Sequence, residues 1–253
     1  MTADAVIQLE KVWRKYDRSQ KRPRSLKEAV LRLASGDRFT REEFWANREI
    51  SFTIREGEIV GFCGSNGSGK STLLRILARI DPLTYGRVTV RGKIAALLEV
   101  TAGFHPMLTG RENIGLNGAI MGLSEKEIAS KVDSIIEFAR LGDFIDSPVH
   151  TYSAGMYMRL GFAIASHVEA DILLIDEVLA VGDAVFQKRC ADWLERMRQA
   201  RKTILIVSHD LYSLYHLCSR VIWLDQGRLV LDGDPAYVLS QYNPEFVPPE
   251  QEH

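Results

Sequence analysis

Residues 58–71 read Glu-Ile-Val-Gly-Phe-Cys-Gly-Ser-Asn-Gly-Ser-Gly-Lys-Ser, a short apolar run, a glycine-rich octet and the start of a helical pattern. The octet Gly64–Ser71 fits the spacing GxxxxGK[ST] between a strand and a helix. Glycines let successive backbone N–H groups curl around phosphate oxygens, and the N-terminus of the following helix adds a favourable dipole. Lys70 is placed to reach the β- and γ-phosphates, and the Ser71 hydroxyl to ligate magnesium. The loop follows the strand Glu58–Cys63 and opens a helix, the context that confirms the match.

Two further strand ends supply chemistry. Residues 171–176 form an apolar strand closing on Asp176-Glu177. Taken alone, such a pair is more often a helix N-cap with its neighbour. With a phosphate loop upstream, Asp176 can hold the magnesium water shell opposite Lys70, and Glu177 can orient or deprotonate the attacking water. Residues 203–208 form another apolar strand, ending at His209, whose imidazole can contact the γ-phosphate and the water.

The rest of the chain punctuates this core. Residues 6–16 and 50–62 are predicted strands, the latter broken at Glu56-Gly57-Glu58. Between them, residues 17–48 differ in composition: residues 14–32 hold eight Lys or Arg and two acids. Ser25-x-x-Glu28 is a capping box, Leu26, Ala29, Val30 and Leu33 fall at helical spacing, and Gly36 can close the helix. A helix is expected over 71–79, and two short strands over 87–98 turning at Gly92. From 100 to 166 the pattern is helical, with capping boxes at Thr109-x-x-Glu112 and Ser124-x-x-Glu127 and a stop at Gly142. Strands at 171–176, 203–208 and 221–224 alternate with helices, so a parallel sheet is covered on both faces. The last strand turns at Asp225-Gln226-Gly227 into a partner at 228–232. Residues 244–253, with three prolines, are expected to be unstructured.

Composition narrows the function classes. The 253 residues carry 32 basic and 33 acidic side chains, a net charge of −1, so no global field recruits nucleic acid or membrane. Cys63, Cys190 and Cys218 form no CxxC pair and suit a reducing compartment. No run of eighteen apolar residues exists, and the first residues lack a secretory pattern. Any membrane work therefore needs another chain.

Tyr152-Ser153-Ala154-Gly155-Met156, lying between the phosphate loop and the acidic strand, resembles the signature motif of ABC-type ATPases. With the phosphate loop, Asp176-Glu177 and His209, the resemblance spans residues 6–241. It implies an α/β fold: an ABC-type ATPase core with a mostly parallel sheet, an N-terminal antiparallel β portion and an inserted helical subdomain at 100–166. The whole of 1–253 is then one nucleotide-binding domain. It implies ATP and Mg2+ as ligands, held by Ser65, Asn66, Gly67, Ser68, Gly69, Lys70, Ser71 and Thr72. Ser71, Asp176 and Glu99 face the metal. Glu99 stands at the family's glutamine-loop position, where a carboxylate can ligate magnesium or hold water. Tyr16 matches the aromatic that stacks on adenine, and Asp183 the loop that crosses the dimer interface. Two copies pair head to tail, so that Ser153, Ala154, Gly155 and Met156 of one close the nucleotide site of the other. Ala154 stands where the usual LSGGQ has a glycine, and Met156 where it has glutamine.

Within the family, Leu97-Leu98-Glu99, Ala102-Gly103-Phe104-His105-Pro106, Leu108–Ile114 and Val178–Asp183 resemble the ATPase subunits of polysaccharide exporters, as does the basic insertion at 17–48. That subgroup implies a homodimer at the cytoplasmic face of the membrane, a separate transmembrane permease, and a lipid-linked polysaccharide contacted by the permease, with no nucleic acid as partner. The alternatives are a soluble ABC ATPase acting on nucleic acid or ribosomes, and an exporter of a different substrate. Some O-antigen members carry a C-terminal carbohydrate-binding domain, which is not expected within these 253 residues unless the sequence is truncated.

Overall fold

The computed structural model describes residues 4–18, 42–98, 100–176 and 182–249. The capped basic helix expected within 17–48, Glu99, and Glu177 to Val181 lie outside them.

Two sheets organise the chain. Strands β1 (Ala5–Arg18), β2 (Glu42–Arg55) and β4 (Tyr85–Val90) form an antiparallel sheet in the order β2-β1-β4. The second sheet runs β5-β6-β7-β3-β8-β9, from β3 (Ile59–Cys63), β5 (Ile94–Leu97), β6 (Ile172–Asp176), β7 (Thr203–Val207), β8 (Arg220–Asp225) and β9 (Arg228–Gly233). Its first five strands are parallel, and β9 pairs antiparallel with β8. All five residues of β3 and of β7 are buried, as expected for strands covered on both faces.

Helix α1 (Lys70–Leu77) lies between the sheets and buries Leu73, Leu74, Ile76 and Leu77 against Ile7, Leu9, Ile50 and Phe52 on one side and Phe62, Leu174 and Leu205 on the other. Each such side chain contributes roughly 1.5–3 kcal/mol. This packing fixes α1, and so the loop that opens it.

Helices α2 (Gly110–Ile120), α3 (Glu125–Ala139) and α4 (Ala154–Ser166) form the helical region with its own apolar cluster. Both expected capping boxes are formed, at Thr109 with Glu112 and at Ser124 with Glu127. Helices α5 (Ala184–Gln199), α6 (Leu211–Leu217) and α7 (Pro235–Tyr242) start at Asp183, Asp210 and Asp234, whose carboxylates accept from backbone N–H groups of the first turn.

Several local expectations are corrected. Strand β2 begins at Glu42, so the inserted segment is shorter than 17–48 at both ends: Asp17 and Arg18 extend β1, and 42–48 belong to β2. The polar residues Glu43, Asn47 and Arg48 hide this stretch in the sequence, because pairing with β1, not apolarity, makes the strand. The strands within 87–98 are not a hairpin; β4 pairs with β1 while β5 pairs with β6. Arg140, at φ 50°, ends α3 two residues before Gly142. Left-handed backbone at a non-glycine costs about 1–2 kcal/mol, which burial of Leu141 and Ile145 in the helical cluster offsets. Nor is all of 244–253 without structure: Phe246 is buried, with its ring 5.2 Å from that of Tyr212.

Candidate nucleotide site

Strand register brings the chemistry-bearing ends together. Asp176 pairs with Val207, and Val207 pairs on its other side with Phe62, one residue short of the end of β3. Neighbouring strands are about 4.8 Å apart, so the acidic strand end and the phosphate loop flank the end of β7 at roughly 10 Å separation. His209, two residues beyond β7, is exposed. It lines a cavity of about 500 Å³ with Gln187, Asp210 and Ser213 over an apolar floor that includes Ile175 and Leu214.

The loop itself has the conformation its glycines permit. Gly64, Gly67 and Gly69 have φ of 141°, 80° and 103°. A Cβ on Gly64 would collide with the Leu224 carbonyl, and one on Gly69 with the Ala46 carbonyl. Ser65, Asn66 and Gly67 are exposed at the crest, whereas Ser68, Gly69 and Lys70 are buried. The Lys70 ammonium donates to the Gly64 carbonyl at 2.7 Å and the Ser65 carbonyl at 3.0 Å, which holds its charge at the centre of the loop. The buried Ser68 Oγ has no hydrogen-bond partner among the described residues. Ser71 is exposed and Thr72 half-buried in the first turn of α1.

The loop is braced from behind by residues that sequence reasoning missed. The Asn47 side chain donates to the Gly69 carbonyl at 3.2 Å. The Gly227 N–H donates to the Ser68 carbonyl at 3.0 Å, and the Arg48 N–H to the Gly227 carbonyl at 2.7 Å. Gly227 was legible only as a hairpin turn. Asn47 carried no signal, since a polar residue near a strand reads as solvent-facing.

Tyr16 lies near the end of β1. Arg14, two residues earlier, pairs with Asn47, the residue that braces the loop. The Tyr16 hydroxyl donates to Asp81 Oδ2 at 2.6 Å, and the Arg14 guanidinium lies 4.3 Å from the ring centroid.

In the helical region, Ser153 caps α4, its Oγ accepting from the Met156 N–H at 3.2 Å. Ser153 and Ala154 are exposed, with Gly155 and Met156 half-buried, so a helix N-terminus is presented at the surface. The Tyr152 hydroxyl donates to the Phe144 carbonyl at 2.6 Å and fixes the approach to that helix. Burial raises the Tyr152 phenol above its ordinary pKa. Asp183 caps α5 and faces Arg159 of α4 at 3.7 Å, tying the two helices together. Asn117 of α2 donates to the Val100 carbonyl at 2.9 Å, and Gly161 of α4 packs so closely on Val100 and Thr101 that a Cβ would crowd them. The segment following β5 is thereby held by two helices, a linkage with no sequence signature.

The sequence matches the ABC transporter family over residues 47–180. The chain belongs to that family. The cassette is 46% identical over 200 residues to the O-antigen export system ATP-binding protein RfbB of Klebsiella pneumoniae, covering 79% of this chain and 81% of that one. The RfbB protein of Myxococcus xanthus is 45% identical over 220 residues, 86% of this chain and 50% of that one. The teichoic acids export ATP-binding protein TagH of Lactococcus lactis is 45% identical over 219 residues, 87% of this chain and 47% of that one. The chain thus spans about half the length of the M. xanthus and L. lactis relatives. In fold the cassette is similar to an ATP-binding cassette solved as a dimer in a post-hydrolysis state with ADP and Pi, at TM-score 0.70 and 23% identity, over 90% of this chain and 98% of that one.

The donor set of the cassette fits a magnesium nucleotide. No group of three His, Cys, Asp or Glu able to hold a metal exists among the described residues. Oxygen donors at Ser71 and Asp176 instead suit a hard cation that keeps its waters and shares phosphate oxygens. No helix among the described residues is long and apolar enough to cross a membrane.

Proposed function

We propose that this chain is the ATP-hydrolysing subunit of an exporter of lipid-linked surface polysaccharide, working as a head-to-tail dimer on a separate membrane permease at the cytoplasmic face. The observation that carries this reading is the strand before the phosphate loop set in register with Val207, which pairs with Asp176 and leads to His209, in a chain whose relatives are named for O-antigen and teichoic acid export.

Backbone N–H groups of Ser65 to Ser71 and the Lys70 ammonium bind the phosphates, and Tyr16 stacks on adenine. Ser71 and Asp176, with Glu99 as a further oxygen donor, would hold magnesium, which would neutralise phosphate charge. Glu177 orients or deprotonates the attacking water, and His209 contacts the γ-phosphate. Ser153, Ala154, Gly155 and Met156 of the second copy close over that phosphate with an exposed helix N-terminus, while Asp183 lies at the seam between copies. The basic segment within 17–48 faces the permease or the anionic leaflet.

Glu177→Gln tests both halves. ATP affinity should persist, turnover should fall steeply, the ATP-bound dimer should accumulate, and polymer should remain on the cytoplasmic side of cells carrying the variant. Turnover at the parent rate would refute the catalytic assignment. Lost turnover with normal surface polymer would refute the transport assignment alone.

A further inference from the structure

Asp81 follows α1, the helix that begins at Lys70, and only 13% of its side chain is exposed. Its Oδ2 accepts from the Tyr16 hydroxyl at 2.6 Å and from Arg75 Nε at 3.1 Å. Arg75 itself lies on α1. Tyr16 is therefore anchored at its hydroxyl to the same segment that opens with the phosphate loop. The Arg14 guanidinium, 4.3 Å from the ring centroid, covers one face of the ring. A base would stack on the face away from Arg14.

We propose that Asp81 is a positioning residue for ATP binding: its carboxylate fixes the Tyr16 ring so that a single face, at a set distance from the phosphate loop, meets the adenine. The inference rests on Tyr16 being the adenine platform. A tyrosine on a strand end turns about two side-chain bonds, and each state in which the ring points elsewhere weakens binding. Holding the hydroxyl removes that ordering cost before the nucleotide arrives. Arg75 keeps Asp81 oriented and charged, and a charge-assisted hydrogen bond is about twice as strong as a neutral one. Stacking does not consume the phenol hydroxyl, so anchor and platform act together.

The experiment measures KM and kcat for ATP by phosphate release on the full chain, with thermal unfolding to verify folding. Asp81→Ala and Tyr16→Phe should each raise KM roughly three- to tenfold, with the change confined to KM. Asp81→Asn, which keeps an acceptor oxygen but not the charge, should recover part of the loss. Tyr16→Ala should raise KM further, and adding Asp81→Ala to it should change nothing more, because the two residues act as one unit. An unchanged KM in Tyr16→Phe, or a further rise when Asp81→Ala is added to Tyr16→Ala, would overturn the positioning role. So would an effect of Asp81→Ala on kcat alone. If Asp81→Ala fails to fold, Tyr16→Phe decides. An unchanged KM in Tyr16→Ala would overturn the adenine platform itself, an outcome distinct from a raised KM there with none in Tyr16→Phe.

Discussion

The Asn47 side-chain amide donates to the Gly69 carbonyl at 3.2 Å, from the polar stretch of β2 that pairs with β1. The phosphate loop is thus braced by the strand that returns from the basic insertion. Asn47 is fully buried, and its Oδ1 has no partner among the described residues. Asn47→Ala leaves the Gly69 carbonyl without its side-chain donor, and the expected loss is about 1–3 kcal/mol of stability. Denaturant unfolding should show it as a lower midpoint with unchanged slope; an unaltered midpoint would mean the bond contributes nothing net.

The three loop glycines separate by what surrounds them. Gly67 has nothing within 4 Å of where a Cβ would sit, so Gly67→Ala meets only the backbone penalty of positive φ, about 1–2 kcal/mol. Gly64→Ala and Gly69→Ala meet that penalty and also drive a methyl into a backbone carbonyl. The expected order of ATP affinity by titration calorimetry is parent, then Gly67→Ala, then the other two. Equal losses in all three would show that strain rather than collision decides.

Burial pushes the thiols of Cys63, Cys190 and Cys218 each up to about 12 from the usual 9.0. The folded chain therefore retains protons that the unfolded chain releases between those values, so this contribution is intact below pH 9 and stability falls as pH rises above it. At pH 8 a thiol reagent should label no cysteine in the native protein and three after unfolding. Rapid labelling of native protein would contradict the packing around them.

The local chemistry of this protein was legible because its signals are short-range. Gly64 to Ser71 sits between a strand and a helix, and Thr109 with Glu112 and Ser124 with Glu127 form the capping boxes their spacing promised. Strand ends at Asp176 and Val207 follow from apolar runs closing on polar residues. Such features depend on hydrogen bonds within about four residues, which a linear reading can see.

What tertiary structure alone decided involves partners far apart in the chain. The strand character of 42–48 is set by pairing with β1, and the separation of β4 from β5 by which sheet each joins. The end of α3 at Arg140 follows from the pull of the helical cluster on Leu141, and the docking of Phe246 from the rings of Tyr212 and Tyr215. Tyr16 reads in sequence as a strand-end aromatic, but its hold on Asp81 spans 65 residues; the brace from Gly227 to Ser68 spans still more. By itself the sequence determined the phosphate loop, the acidic strand end and the helix caps, because local backbone geometry and nearest-neighbour hydrogen bonds specify them. The posture of the loop and of Tyr16 was decided only by the fold, because packing energy depends on which surfaces meet.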